Sequence, residues 1–197
     1  PKTEDLPEGR YAIPGTYKAS IKYDGEVVSG EITVIPDPKL TLSQNDWATT
    51  ANFLDHMFDL RKVATKAMER IAFAKHDLEL IQKMIKDALP SDVQDDNPLK
   101  VSEVKTKEIL EGLDEIEKYF LIQGLADDQS KHVTAHISSA MSYAGYGGKG
   151  NFADSTFTKV TDNAKKAASI AETSLKQALS DLNGFFEEDL ADFKASI

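Results

Sequence analysis

The sequence contains no cysteine, which removes disulfides, thiolate nucleophiles and cysteine-ligated zinc together. Arginine is nearly as scarce: Arg10, Arg61 and Arg70 are the whole complement. Basic residues are outnumbered, 23 Lys plus Arg against 33 Asp plus Glu, and the net charge is −10. A general nucleic-acid binder needs basic surface to displace counterions from phosphates, and docking on anionic lipid needs the same. Both are disfavoured. No run of about 18 uninterrupted apolar residues exists, so no membrane-spanning helix is expected.

What is present is the balance of a folded protein: 197 residues, 41% apolar and 28% charged. Residues 1–10 begin without Met and without an apolar leader. They read as an exposed connection, and the chain as a piece from inside something larger.

Gly15 to Pro36 reads as a β-hairpin. Tyr17, Ala19, Ile21 and Tyr23 alternate with Lys18, Ser20 and Lys22, giving one apolar and one polar face. Asp24-Gly25 suits a type I′ turn, whose two central residues take positive φ. Val28, Ile32 and Val34 form the return strand, and Pro36 and Pro38 close the unit because proline cannot continue a ladder. A lone hairpin is marginally stable. These strands must therefore pair with absent sandwich strands, with the helical part, or with another copy.

From Leu42 the period changes from two to about 3.5. Ser43 suits an N-cap with Asp46 at N3, and Leu42 and Trp47 stand where a hydrophobic staple would close. Phe53, Met57, Leu60, Ala64, Ala67, Ile71, Ala74, Leu78, Ile81 and Ile85 then follow in steps of four and three, the seam of a coiled-coil-like helix. A helix from Ser43 to about Leu89 would be roughly 70 Å long. Asn97-Pro98 caps a second helix to about Leu125, with Ile109, Leu113, Ile116 and Phe120 as its seam. A shorter helix between Asp128 and Ala144 carries Val133, Ile137, Ala140 and Met141. The last helix starts near Asp154 or Ser155 and runs through Val160, Ala164, Ala167, Ala171, Leu175, Ala178, Leu182, Phe186 and Leu190 to Phe193. Asn183-Gly184 marks a kink or end, since Gly costs about 1 kcal/mol against Ala inside a helix. The expected fold is mainly α: an elongated up-and-down bundle of three long helices plus a shorter one, residues 39–197, with the hairpin at residues 1–38 as the remnant of an Ig-like module.

No constellation for chemistry emerges. His132 and His136 stand four apart on one helix face, the spacing of two metal ligands. The metalloprotease pattern needs Glu after the first His, and Val133 is there. A pair of surface or loop-packing histidines is the preferred reading. Gly145-Tyr-Gly-Gly-Lys-Gly150 has the letters of a dinucleotide fingerprint, but a helical segment precedes it where a strand is required. It reads as a mobile interhelix loop. Asp95-Asp96, Asp127-Asp128 and Glu187-Glu188-Asp189 are paired acids of the kind that glycoside hydrolysis uses, yet adjacent acids on loops and helix ends are ordinarily solvated. A cluster of arginines on a substrate carboxylate cannot form, because Arg61 and Arg70 lie nine residues apart and point to opposite sides of one helix. Trp47 is better explained as a staple than as a stacking platform. No catalytic, cofactor-binding or metal residue is assigned, and no cofactor is expected.

Three stretches carry a family resemblance: Ala12 to Gly25 (AIPGTYKASIKYDG), Ile32 to Lys39 (ITVIPDPK) and Phe185 to Leu190 (FFEEDL). With the long helix between them, they resemble the C-terminal region of bacterial sortilin-like BNR/Asp-box glycosyl hydrolase family proteins. The resemblance covers the chain from about Tyr11 onward. It implies a secreted, periplasmic or cell-envelope protein in which a β-propeller is followed by an Ig-like module and a helical tail. The hairpin then corresponds to the last two strands of that module. Any hydrolase chemistry would belong to the propeller, and no Asp-box occurs in this sequence. The expected function is thus a non-catalytic structural or interaction module. Its expected partners are the upstream propeller and Ig-like part, or a second copy meeting it at the hairpin edge. Two alternatives are part of a glycosyl hydrolase whose active site lies upstream, and a module that captures a peptide or strand.

Overall fold

A computed structural model of the chain describes residues 12–90, 94–120, 132–146 and 158–196. It is mainly α-helical with one N-terminal antiparallel hairpin, as expected. The hairpin strands are β1 (Gly15–Tyr23) and β2 (Glu26–Val34). The helices are α1 (Gln44–Ala88), α2 (Pro98–Phe120), α3 (Val133–Tyr143), α4 (Asp162–Glu187) and α5 (Asp189–Ser196). Several expectations lie outside the described residues: the N-terminal connection, residues 91–93, the extension of the second helix to Leu125, Asp127-Asp128, the loop glycines from Gly147 on, and a helix start at Asp154 or Ser155. Two compact units can be distinguished, Pro1–Phe58 with Ser138–Lys166 and Asp59–Ile137 with Ala167–Ile197.

In the first unit the hairpin closes through Asp24 and Gly25, at φ 45° and 82°, the two positive values that a type I′ turn needs. Tyr23 pairs with Glu26, Ile21 with Val28, Ala19 with Gly30 and Tyr17 with Ile32. The chain enters α1 through a reciprocal cap. The Asp46 N–H donates to Ser43 Oγ at 3.2 Å, and the Ser43 N–H and hydroxyl donate to Asp46 Oδ2 at 2.9 and 2.7 Å. These bonds, the hydroxyl first and the backbone N–H second, hold the Asp46 carboxyl below its ordinary pKa. Lys159 Nζ adds an ion pair at 3.2 Å.

The first turns of α1 bury Trp47, Thr50, Leu54 and Met57. Leu54 is buried and Phe53 only half-buried, so the seam starts one position away from the expected one. The reason is Thr50. Its hydroxyl donates to the Thr158 carbonyl at 2.8 Å, so a polar side chain can hold a seam position and the 3–4 spacing runs back unbroken to Trp47. α3 contributes Ala140 and Met141 and ends in a Schellman cap. Gly145 takes φ 85°, its N–H donates to the Ser142 carbonyl at 2.9 Å, and the Tyr146 N–H donates to the Met141 carbonyl at 3.0 Å. Tyr146 is buried, edge-on to Phe58 with ring centroids 5.3 Å apart.

In the second unit α1 and α2 run antiparallel. Lys75 on α1 meets Asp114 and Glu117 on α2, while Lys86 near the end of α1 acts on Glu103 near the start of α2. Burial alone would push the Lys75 ammonium down; its two carboxylate partners outweigh that and hold it above its ordinary pKa. α4 also runs against α2. Gly112 faces Phe185, so close that a Cβ there would lie 2.5 Å from Phe185 Cε2. α1 and α4 therefore share a direction, with Arg70 donating to Asn183 Oδ1 at 3.3 Å. The core joins Ala64, Ile71 and Leu78 of α1 to Leu113, Ile116 and Phe120 of α2 and to Ala171, Leu175 and Leu182 of α4. Each large aliphatic or aromatic residue so buried contributes about 1.5–3 kcal/mol.

One seam position and two boundaries depart from expectation. Thr106, not Ile109, is the fully buried seam residue in the middle of α2, its hydroxyl donating to the Ser102 carbonyl at 2.7 Å. Val160, expected on the last helix, lies before it: residues 158–161 are not helical, and α4 begins after Thr161, whose Oγ1 accepts from the Ala164 N–H at 3.1 Å and caps the helix there. The break in the last helix falls at Glu188, not at Gly184, which stays within α4. Glu187, Glu188 and Asp189 oppose the dipole at a helix C-terminus and favour a fresh N-terminus, where Asp189 and Asp192 sit in the first turn of α5.

Candidate functional site

The most conspicuous exposed feature is one face of the hairpin. Its register puts Tyr17, Ala19, Ile21 and Tyr23 of β1 and Val28 and Ile32 of β2 on one side. Ile21, Tyr23, Val28 and Ile32 are 73%, 83%, 70% and 56% exposed. The opposite side carries Thr16 with Thr33, Lys18 with Glu31, and Ser20 hydrogen-bonded to Ser29 at 2.8 Å. This is the alternation of a sheet whose apolar face is meant to be covered. Among the described residues no third strand joins the hairpin and nothing buries that face. Gly30 sits in its middle with no atom within 4 Å of where a Cβ would stand. At the base of the hairpin Gln44 Nε2 donates to the Pro14 carbonyl at 3.2 Å. That bond ties the sheet to the start of α1 without covering it.

The other candidates do not converge. His132 and His136 flank the first turn of α3, and the His136 N–H donates to the His132 carbonyl at 3.0 Å. His132 Nδ1 is buried and finds no hydrogen-bond partner among the described residues. Burial first, and the neighbouring His132 second, push the His136 pKa below its ordinary value. Among the described residues no three His, Asp or Glu side chains gather as metal ligands. Asp95 and Asp96 are exposed in a turn, and Glu187, Glu188 and Asp189 are exposed at the α4–α5 junction. Arg70 stacks on Phe186, its guanidinium carbon 4.0 Å from the ring centroid, while Arg61 lies nine residues back along α1. Arg10 and Gly147–Gly150 lie outside the described residues. Gly145, the first glycine of the apparent fingerprint, is a helix cap, a role signalled by its place directly after an apolar helical pattern. Trp47 is 5% exposed and offers no stacking platform.

Among the described residues no helix is long and apolar enough to cross a membrane. Comparison with protein-family models, with curated proteins and with solved structures found no match for this chain.

Proposed function

We propose that this chain is a non-catalytic structural and interaction module, the C-terminal part of a secreted or cell-envelope sortilin-like BNR-repeat protein. In this reading the helices stiffen and space, and the apolar hairpin face seats against the remaining strands of an Ig-like module upstream. The supporting observation is that face: four large apolar side chains exposed on a two-stranded sheet that is marginal by itself. The free edges of β1 and β2 also favour pairing with a second copy at the hairpin edge.

The test has two arms. The 197-residue chain should turn over neither aryl glycosides nor sialosides; turnover abolished by one Asp or Glu substitution would overturn the reading. Hydrogen exchange at the hairpin amides should be fast in this chain and slow when the natural upstream residues are included. Equal protection in both would remove the assigned role of the face. Light scattering across a concentration series separates capture by upstream strands from pairing with a second copy.

A further inference from the structure

A second feature, independent of the hairpin, lies between α1 and α4–α5. A cavity of about 250 Å³ opens there, walled by buried Leu78, Leu190 and Phe193 and by half-buried Ala74 and Ile81. Phe73, 72% exposed, stands at its rim. The volume approaches the roughly 300 Å³ at which small-molecule pockets begin.

Its polar equipment is uneven. Arg70 lines the cavity at one end. The guanidinium carbon is held over the Phe186 ring, 4.0 Å from its centroid, and the group donates one hydrogen bond to Asn183 Oδ1. Among the described residues no carboxylate pairs with it, in a chain with ten more acids than bases. A guanidinium has five N–H donors in a rigid fork, so most of its donors remain for a planar anion. Asp77 and Lys194 also line the cavity. Asp77 lies two helical turns from Arg70 along α1, about 10 Å at the helical rise. Asp77 and Lys194 carry opposite charges, so beyond Arg70 the wall offers no net charge for a second anionic group and suits a plain hydrocarbon chain.

We propose that this cavity binds an amphipathic monocarboxylate, such as a medium-chain fatty acid. The carboxylate sits on the Arg70 fork and the chain lies along Ala74, Leu78 and Ile81 against Leu190 and Phe193. From Arg70 to Ile81 the groove runs about 16 Å along α1, room for an extended chain. The headgroup supplies a counter-charge that no described carboxylate supplies, and the chain removes apolar surface from water.

Calorimetric titration of the full chain with decanoate, and with decanol as the uncharged counterpart, tests this. One decanoate should bind per chain, more tightly than decanol. R70Q should weaken decanoate at least about tenfold, the worth of one charge-assisted interaction, and leave decanol unchanged. A74F, which fills the cavity, should abolish both; I81F is the second filling variant if A74F does not fold. No saturable binding to the wild type, equal loss of decanol in R70Q, or undiminished binding in a folded filling variant would overturn the proposal.

Discussion

The approach of α2 to α4 can be tested at one atom. An added Cβ on Gly112 would lie 2.5 and 2.9 Å from Phe185 Cε2 and Cζ. Alanine is the better helix former by about 1 kcal/mol, so in free space Gly112→Ala would stabilise α2. Overpacking of this kind costs about 1–3 kcal/mol, because the ring and its neighbours must move. The net expectation is a loss of about 0–2 kcal/mol, or up to several degrees in Tm at about 2–4 °C per kcal/mol for a chain of this size. The sign should reverse once the ring is gone. In a Phe185→Ala background the same substitution should recover the full helix-propensity gain, giving a coupling of about 1–3 kcal/mol. Urea unfolding of the four proteins by far-UV circular dichroism measures it, with Phe185→Leu as the milder background. If Gly112→Ala stabilises equally in both backgrounds, the ring does not lie over Gly112 and the described packing is wrong.

Three further outcomes follow from particular contacts. Ser43→Ala removes the N-cap of α1 and should cost about 1 kcal/mol in a denaturant titration. It should also flatten the acid limb: Asp46 has a depressed folded pKa, so its contribution is complete above its ordinary value and fades as pH falls toward the folded one. Lys75→Met should lower stability by about 1 kcal/mol at neutral pH, since it leaves Asp114 and Glu117 without their shared cation. Because the Lys75 pKa is raised in the folded state, wild type should keep that contribution below the unfolded value, about 10.4, and lose it at higher pH, so melting curves should converge there. His136 has a depressed folded pKa, so below about pH 6.5 the unfolded chain takes up a proton that the folded one resists. Stability should fall as pH drops through that range in wild type and stay flatter in His136→Gln.

Features built from neighbours in sequence were legible from sequence. The Asp24-Gly25 turn, the Ser43–Asp46 cap and the bounds of α1 depend on a few consecutive residues, and all three form as read. Features that depend on a polar side chain finding a backbone acceptor, distant for Thr50 and one turn back for Thr106, were not. Thr50 and Thr106 occupy buried seam positions because each hydroxyl finds an acceptor, and counting apolar letters passes over both. Gly184 looked like a helix breaker, yet the break follows the three acids after it, because charge at a helix end outweighed propensity at one residue. The hairpin's apolar face was readable as alternation, but what covers it is not written in the strands themselves. The cavity beside Arg70 depends on how α1 packs beside α4 and α5, which no local pattern encodes.

The Thr50 hydroxyl has an implication for assembly order. Methyl and isobutyl groups repeated every three or four residues are interchangeable, so a helix could slide seven residues along its neighbour and satisfy them almost as well. A donor that must reach the Thr158 carbonyl is not interchangeable. It acts as a detent: the slipped alignment forfeits the bond to Thr158 and leaves the hydroxyl only a carbonyl of its own helix, the arrangement Thr106 adopts, so the rod favours one station.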